Sequence, residues 1–162
     1  PVPAQSPRVP GLHVLQCRGG SCNPLREKNV KAIVWSKILS VGFEEIDDDH
    51  RKLVGIFNEL NRAVTAGDAA DYLAATLEEL INCTVWHFSH EERLMLKHRY
   101  DGIEDHKAEH RELVQGAREL QQQLLAAGQG VAEEQITYLE RWLTGHILTT
   151  DQQLGAFLAQ ES

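Results

Sequence analysis

A chain of 162 residues is long enough for one domain with a real core. With 25% of residues charged and a net charge of −8, the composition argues against a nucleic-acid partner, because phosphate binding needs a basic face. No apolar run approaches the length of a membrane span, and the N-terminus carries prolines and arginines without an apolar signal core, so the expected location is cytoplasmic.

Residues 1–33 read as a tail or linker. Four prolines fall within the first ten positions, Gly19 and Gly20 follow, and no hydrophobic period is present. Cys17 and Cys22 lie in this stretch and Cys83 in a later helical one. Three cysteines do not make a disulfide framework. CRGGSC offers a small redox loop or a metal pair, but no second ligand pair lies nearby, so two thiols in a tail is the plainer reading.

Residues 34–162 carry four segments of helical period. The first places Ile46, His50, Leu53, Phe57, Leu60 and Val64 on one seam, in steps of three and four. Gly67-Asp68 closes it, with Asp68 as the expected N-cap of the next helix. The second seam runs through Leu73, Leu77, Leu80, Thr84, His87, Glu91, Leu94 and His98. After Asp101-Gly102, the third runs through Ile103, His106, His110, Leu113, Ala117, Leu120 and Leu124. After Gly128 and Gly130, the fourth runs through Ile136, Leu139, Leu143 and His146, then slips by five to Asp151, Leu154 and Leu158. Five residues of regular helix turn about 500°, leaving roughly 140° of misalignment. A wide π turn between His146 and Asp151 absorbs it, and such turns gather at functional sites. Four long helices with short connections predict an all-α, up-down-up-down four-helix bundle.

The stretch HFSHEERLM, residues 87–95, sorts on the second seam. His87 and Glu91 face inward, while His90, Glu92 and Arg93 leave the seam. His90 shares a mostly polar edge with Thr76, Glu79, Cys83, Trp86 and Lys97. Applied to every helix, the same test gives five inward histidines (His50, His87, His106, His110, His146) and two inward carboxylates (Glu91, Asp151), all toward one end of the bundle.

A lone inward histidine is more often a satisfied core residue than a ligand. Seven ligand-type groups converging from four helices are hard to explain that way, and two buried carboxylates without a cation cost several kcal/mol each, on the order expected for buried ions. The count suits two metals. If both carboxylates and one solvent oxygen bridge two octahedral ions, five histidines fill five of the six remaining positions and leave one ion open. His106 and His110 then share an ion with His146, while His50 and His87 hold the open one. Imidazole with carboxylate suits iron, and a closed tetrahedral zinc site would need only four ligands.

These residues also carry a family resemblance. Trp35, SVG ending at Gly42, IDDDH ending at His50, HFSHEERLM with Tyr100, HKAEH (106–110) and WLTGHILTTD (142–151) resemble the bacterial hemerythrins over roughly residues 34–158. The pattern H…HxxxE…HxxxH…HxxxxD is filled at all seven positions. Two departures are minor: Asp101 follows Tyr100 where proline is common, and Gln152 follows Asp151 where lysine is common. The resemblance implies a four-helix bundle holding two bridged irons. It places His106, His110 and His146 on one, His50 and His87 on the other, with Glu91 and Asp151 bridging, and O2 binding reversibly at the open iron. Phe88, Trp142, Leu143 and Ile147 neighbour the ligands and are the expected apolar walls of the O2 pocket. Trp35 and Trp86 are expected to pack. His13, His90 and His98 are assigned to no iron.

The function expected from the sequence is reversible O2 binding for transport or storage, with an O2-accepting protein as a possible partner. The runner-up is an O2- or redox-sensing module of a larger signalling protein, suggested by the tail composition and the absence of an initiator Met. An enzyme is not expected: no Glu-x-x-His ligation is present, and no inward acid or base remains beyond the ligands.

Overall fold

The computed structural model describes residues 32–128 and 131–161. Cys17, Cys22, His13, Gly130 and nearly all of the expected tail lie outside them. The helices are α1 (Glu44–Ala66), α2 (Ala70–His98), α3 (Ile103–Ala127) and α4 (Glu133–His146); a π turn (Ile147–Asp151) joins α4 to α5 (Gln152–Glu161). With α4, the π turn and α5 acting as one rod, the architecture is the expected up-down-up-down four-helix bundle. α1 packs along α2, α2 along α3, and α4 closes on both α1 and α3.

The helix ends follow from backbone chemistry. Gly67, Arg99 and Gly128 take the left-handed conformation just past α1, α2 and α3. At the first, the Asp68 N–H donates to the Ala63 carbonyl at 3.0 Å; at the second, the Tyr100 N–H donates to Met95 at 2.9 Å. These bonds satisfy carbonyls that a helix end leaves open. Asp68 is therefore part of the closure of α1 and not the N-cap of α2. That position belongs to Ala69, which has no side-chain cap, while the Asp68 carboxylate lies 3.5 Å from Arg62.

The wide turn forms where the seam slips, and it is a five-residue π turn. Thr149 Oγ1 donates to the Gly145 carbonyl at 2.8 Å, giving that acceptor a partner beside the widened ladder.

The core is divided in two. The larger part includes Leu53, Phe57, Leu60, Leu77, Leu80, Leu139 and Leu143. The smaller part holds Val41, Ile46, Leu94, Met95, Leu154 and Leu158. On α1 and α2 the ligand-type residues fall between these clusters, and after α4 Asp151 falls between Ile147 and Leu154, so a polar layer separates two apolar ones.

An irregular arm precedes α1 and crosses the bundle at the smaller cluster. Asp47 is buried and anchors it, accepting from the Val41 N–H at 2.8 Å and from Ser40 Oγ at 2.5 Å. Gln152 donates to the carbonyls of Ile38 and Ser40 at 3.2 and 2.9 Å. Asn58 pairs with both backbone groups of Ile33 at 2.8 and 2.9 Å. Ile33 is itself buried in the larger cluster, so packing begins on the tail side of residue 34. Trp35 packs against the same cluster under Arg51, whose guanidinium sits 5.0 Å from its ring centre. Trp86 does not pack as expected: it is 52% exposed, because its column faces away from the neighbouring helices.

Two substitutions test this account. Gly155 sits where the arm crosses α5, and an added Cβ would overlap the Val41 carbonyl and Cβ. Gly155→Ala is expected to cost about 1–3 kcal/mol in denaturant unfolding, as overpacking does. Arg99 holds a left-handed φ of 57° with an exposed side chain. Arg99→Gly is expected to stabilise by about 0.5–1 kcal/mol, the relief of side-chain strain less the added flexibility of the unfolded chain.

Candidate metal centre

All seven ligand-type residues are buried in one layer, and Glu91 and Asp151 are completely closed off from solvent. α1 brings His50, α2 brings His87 and Glu91, α3 brings His106 and His110, and α4 brings His146. The π turn ends on Asp151 and carries it back to the inner face.

The ligand atoms fall into two overlapping sets. Those of Glu91, His106, His110, His146 and Asp151 all lie within 4.8 Å of one another, as do those of His50, His87, Glu91 and Asp151. Both carboxylates belong to both sets. Asp151 Oδ1 lies 3.2 Å from His106 Nε2 and 3.0 Å from His146 Nε2, while Oδ2 lies 3.2 Å from His50 Nε2. Glu91 Oε2 lies 3.2 Å from His110 Nε2, 3.5 Å from His106 Nε2 and 3.6 Å from His87 Nε2.

At these separations the atoms could bond directly, yet they do not align as donors and acceptors. Among the described residues, the buried side-chain nitrogens and oxygens without a hydrogen-bond partner, Asn61 Oδ1 apart, all belong to these seven residues. Buried polar groups in folded proteins are ordinarily satisfied, and each orphan carries a desolvation cost. Two ligands at right angles, each about 2.1 Å from one ion, lie about 3.0 Å apart. The observed spacings and orphaned atoms therefore fit cations shared by two carboxylates.

Electrostatics runs the same way. Burial opposes charge on Asp151, but the imidazoles of His106, His146 and His50 outweigh it and hold its carboxyl well below the usual range. Burial and the Asp151 charge both oppose ionisation of Glu91, but His87, His106 and His110 draw it below its ordinary value. Burial opposes protonation of His106 as well, but the two carboxylates push it up to about 9 without a metal. His87 and His146 are raised for related reasons, and His110 is lowered, burial and its neighbouring imidazoles outweighing Glu91.

Three further carboxylates reach the far nitrogens of ligand rings. Glu109 Oε1 lies 2.8 Å from His146 Nδ1, Glu92 Oε1 lies 3.3 Å from His110 Nδ1, and Asp49 Oδ2 lies 3.5 Å from His87 Nδ1. At 3.5 Å the last is a loose contact; Asp49 is held more tightly by His90 Nδ1 at 2.7 Å. Each of these acids is next in sequence to a ligand-type residue on its own helix but serves a histidine on the following one. Asp49 adjoins His50 and reaches α2, Glu92 adjoins Glu91 and reaches α3, and Glu109 adjoins His110 and reaches α4. Seam reading missed them because it follows inward residues only. The available signal was an acid beside a ligand on three successive helices. His90 lies on the outer edge and His98 at the end of α2, both half-buried and in neither set.

A small cavity of about 10 Å³ adjoins the cluster. Phe88, Trp142, Leu143 and Ile147 line it together with Leu53, Thr84 and Leu113, and it reaches His87, His146 and Asp151. Thr84 Oγ1 donates to the Leu80 carbonyl at 2.9 Å, and Trp142 Nε1 donates to the Leu113 carbonyl at 2.9 Å. Apart from the ligand-type histidines, the two side-chain donors of the wall are thus engaged. Phe88 stacks on His110 at 3.7 Å between ring centres and meets His87 and His146 at 5.6 and 5.1 Å, so it wedges three of the imidazoles.

Known proteins share this design. Residues 41–158 match the Hemerythrin HHE cation binding domain. A bacteriohemerythrin of Stenotrophomonas maltophilia is 32% identical over 120 residues, covering 74% of this chain and 77% of that protein. A myohemerythrin of Sipunculus nudus is 34% identical over 119 residues, covering 73% of this chain and 87% of that one. A crystal structure of wild-type hemerythrin superposes with a TM-score of 0.73 at 28% identity, covering 79% of this chain and 98% of that chain. With a matching domain across most of its length and relatives above 30% identity, this chain belongs to the hemerythrin family.

Proposed function

We propose that this chain binds two iron ions and uses them to bind O2 reversibly, as a carrier or store, in the cytoplasm. His106, His110 and His146 hold one ion, His50 and His87 hold the other, and Glu91 and Asp151 bridge them. The unit is residues 34–162 together with Ile33, which packs into its core, and the residues before it are a tail or linker. The observation that carries this reading is the cavity against the ligand cluster, walled by apolar side chains and by Thr84 and Trp142, whose donors are already engaged. Supporting it are the two ligand sets that share both carboxylates.

Bound iron would supply the electrons that O2 takes up on binding and gives back on release. The protein supplies the rest. Glu91 and Asp151 set the spacing of the pair and neutralise part of its charge in a medium where charge is costly. The far-nitrogen carboxylates orient the rings so that Nε2 faces the ions. Phe88, Trp142, Leu143 and Ile147 keep water and protons from the bound gas, which favours release of O2 over irreversible oxidation. Among the described residues, the buried acid outside the seven, Asp47, is engaged by the Val41 N–H and the Ser40 hydroxyl, which supports reading the chain as a binder and not an enzyme.

Three outcomes follow. Iron-loaded, anaerobically reduced protein should be nearly colourless, gain a visible charge-transfer band on O2 addition, and lose it when O2 is swept out. A one-way change to an oxidised form would sink the carrier reading. Leu143→Ser places a hydroxyl donor in the cavity wall, and loss of the band after O2 addition should be faster than in the parent; an unchanged rate would show that the cavity does not hold the gas. Third, His106 titrates near 9 in the metal-free protein, above its unfolded value of about 6.5. Its stabilisation is full below pH 6.5 and is lost as pH rises through 9, so the metal-free protein should weaken over that window. Ferrous iron must displace the same proton, so loading in weak buffer at pH 7 should release protons, His106 contributing one, read with an indicator dye; no release would contradict this account.

A further inference from the structure

The acid with the tightest hold on a ligand ring is Glu109, and its second oxygen is also engaged. Oε1 lies 2.8 Å from His146 Nδ1, and Oε2 accepts from Thr150 Oγ1 at 2.6 Å. An ionised carboxylate only accepts hydrogen bonds, so the ring proton at this contact must sit on Nδ1. Nε2 of His146, 3.0 Å from Asp151 Oδ1, is then the nitrogen whose lone pair a metal would take.

Thr150 reaches Glu109 because of the π turn. In a regular helix the residue four after His146 lies one turn along on the same face, and that residue is Thr150. The wide turn gives this place to Asp151, five after His146. Thr150 moves off the inner face and meets α3 at Glu109. One backbone irregularity therefore delivers the carboxylate of Asp151 to the cluster and the hydroxyl of Thr150 to the carboxylate that orients His146. Neither Glu109 nor Thr150 is among the seven proposed ligands.

We infer that Glu109 is a positioning residue for the three-histidine metal position, clamped between His146 and the Thr150 hydroxyl of the π turn so that His146 presents Nε2 to the metal. The inference rests on the two-iron reading above. Carboxylates behind a ligating histidine fix its tautomer and direction, and their loss typically weakens metal binding about 10–100-fold. A carboxylate hydrogen-bonded at both oxygens is held against the ring; Glu92 has only an ion pair with Lys107 at 3.7 Å on its second oxygen, and Asp49 meets both His87 and His90 through one oxygen.

The test is anaerobic titration of the full chain with ferrous iron against a competing chelator, with the melting temperature of each metal-free protein as control. Glu109→Ala should weaken one of the two iron-binding steps about 10–100-fold and leave the other near the parent. Glu109→Gln keeps an acceptor for Nδ1–H and a group for the Thr150 hydroxyl, and should recover most of that loss. Thr150→Val frees one oxygen and should weaken the same step by a smaller factor; it also carries the test if Glu109→Ala does not fold. The metal-free melting temperatures should change little. Parent-like binding in both Glu109→Ala and Thr150→Val would overturn the inference while leaving the two-iron reading intact. So would weakening that follows the metal-free melting temperature and is not recovered by Glu109→Gln, since that marks a purely structural contact. A parent chain that takes up no iron would instead overturn the reading beneath it.

Discussion

Two carboxylates, Glu91 and Asp151, lie fully enclosed among five imidazoles, and the rest of the molecule is arranged around that fact. Enclosed charge is tolerated when opposite charge meets it with good geometry. Here the protonated imidazoles can offset part of the deficit, which is why His106 is pushed up to about 9 in the absence of metal. They cannot satisfy it well, because the facing nitrogens and oxygens do not align with one another. Cations at the points where those atoms converge would satisfy both sets at once and release the protons.

The fold serves this layer from both sides. Apolar clusters lie above and below it, one built on Phe57, Leu80 and Leu139 and the other on Ile46, Met95 and Leu154. They seal the ligands from water and fix the helices at the spacing the layer needs. The arm before α1 closes the smaller cluster through Asp47 and Gln152, so even a connecting segment is tied to the ligand end. The π turn accommodates the one place where helical periodicity and the ligand set disagree. It brings a widened ladder in exchange for the Asp151 position.

The bundle and its inward groups were legible from sequence because each rests on one-dimensional periodicity. Steps of three and four put His50, His87, His106, His110 and His146 on inner faces, and the single step of five announced the π turn. What was not legible depends on relations between helices. Asp49, Glu92 and Glu109 leave their own seams and act across to the next helix. The cavity walls contributed by Leu53 and Leu113 look like ordinary core residues on their helices, and only packing shows that they meet Phe88 and Trp142 around a space. Asp68 resembled an N-cap, but the six-residue closure of α1 claimed its backbone first. Trp86 was expected to pack, but its helical column leads to solvent.

The central claim is that this layer is completed by two ions sharing both carboxylates. The most direct measurement is the iron content of the purified chain after anaerobic loading and removal of loosely held metal, compared with that of Asp151→Asn. The account predicts two irons per parent chain and a clear deficit in the variant, because Asp151 belongs to both ligand sets. One iron per parent chain, or full occupancy in Asp151→Asn, would contradict it.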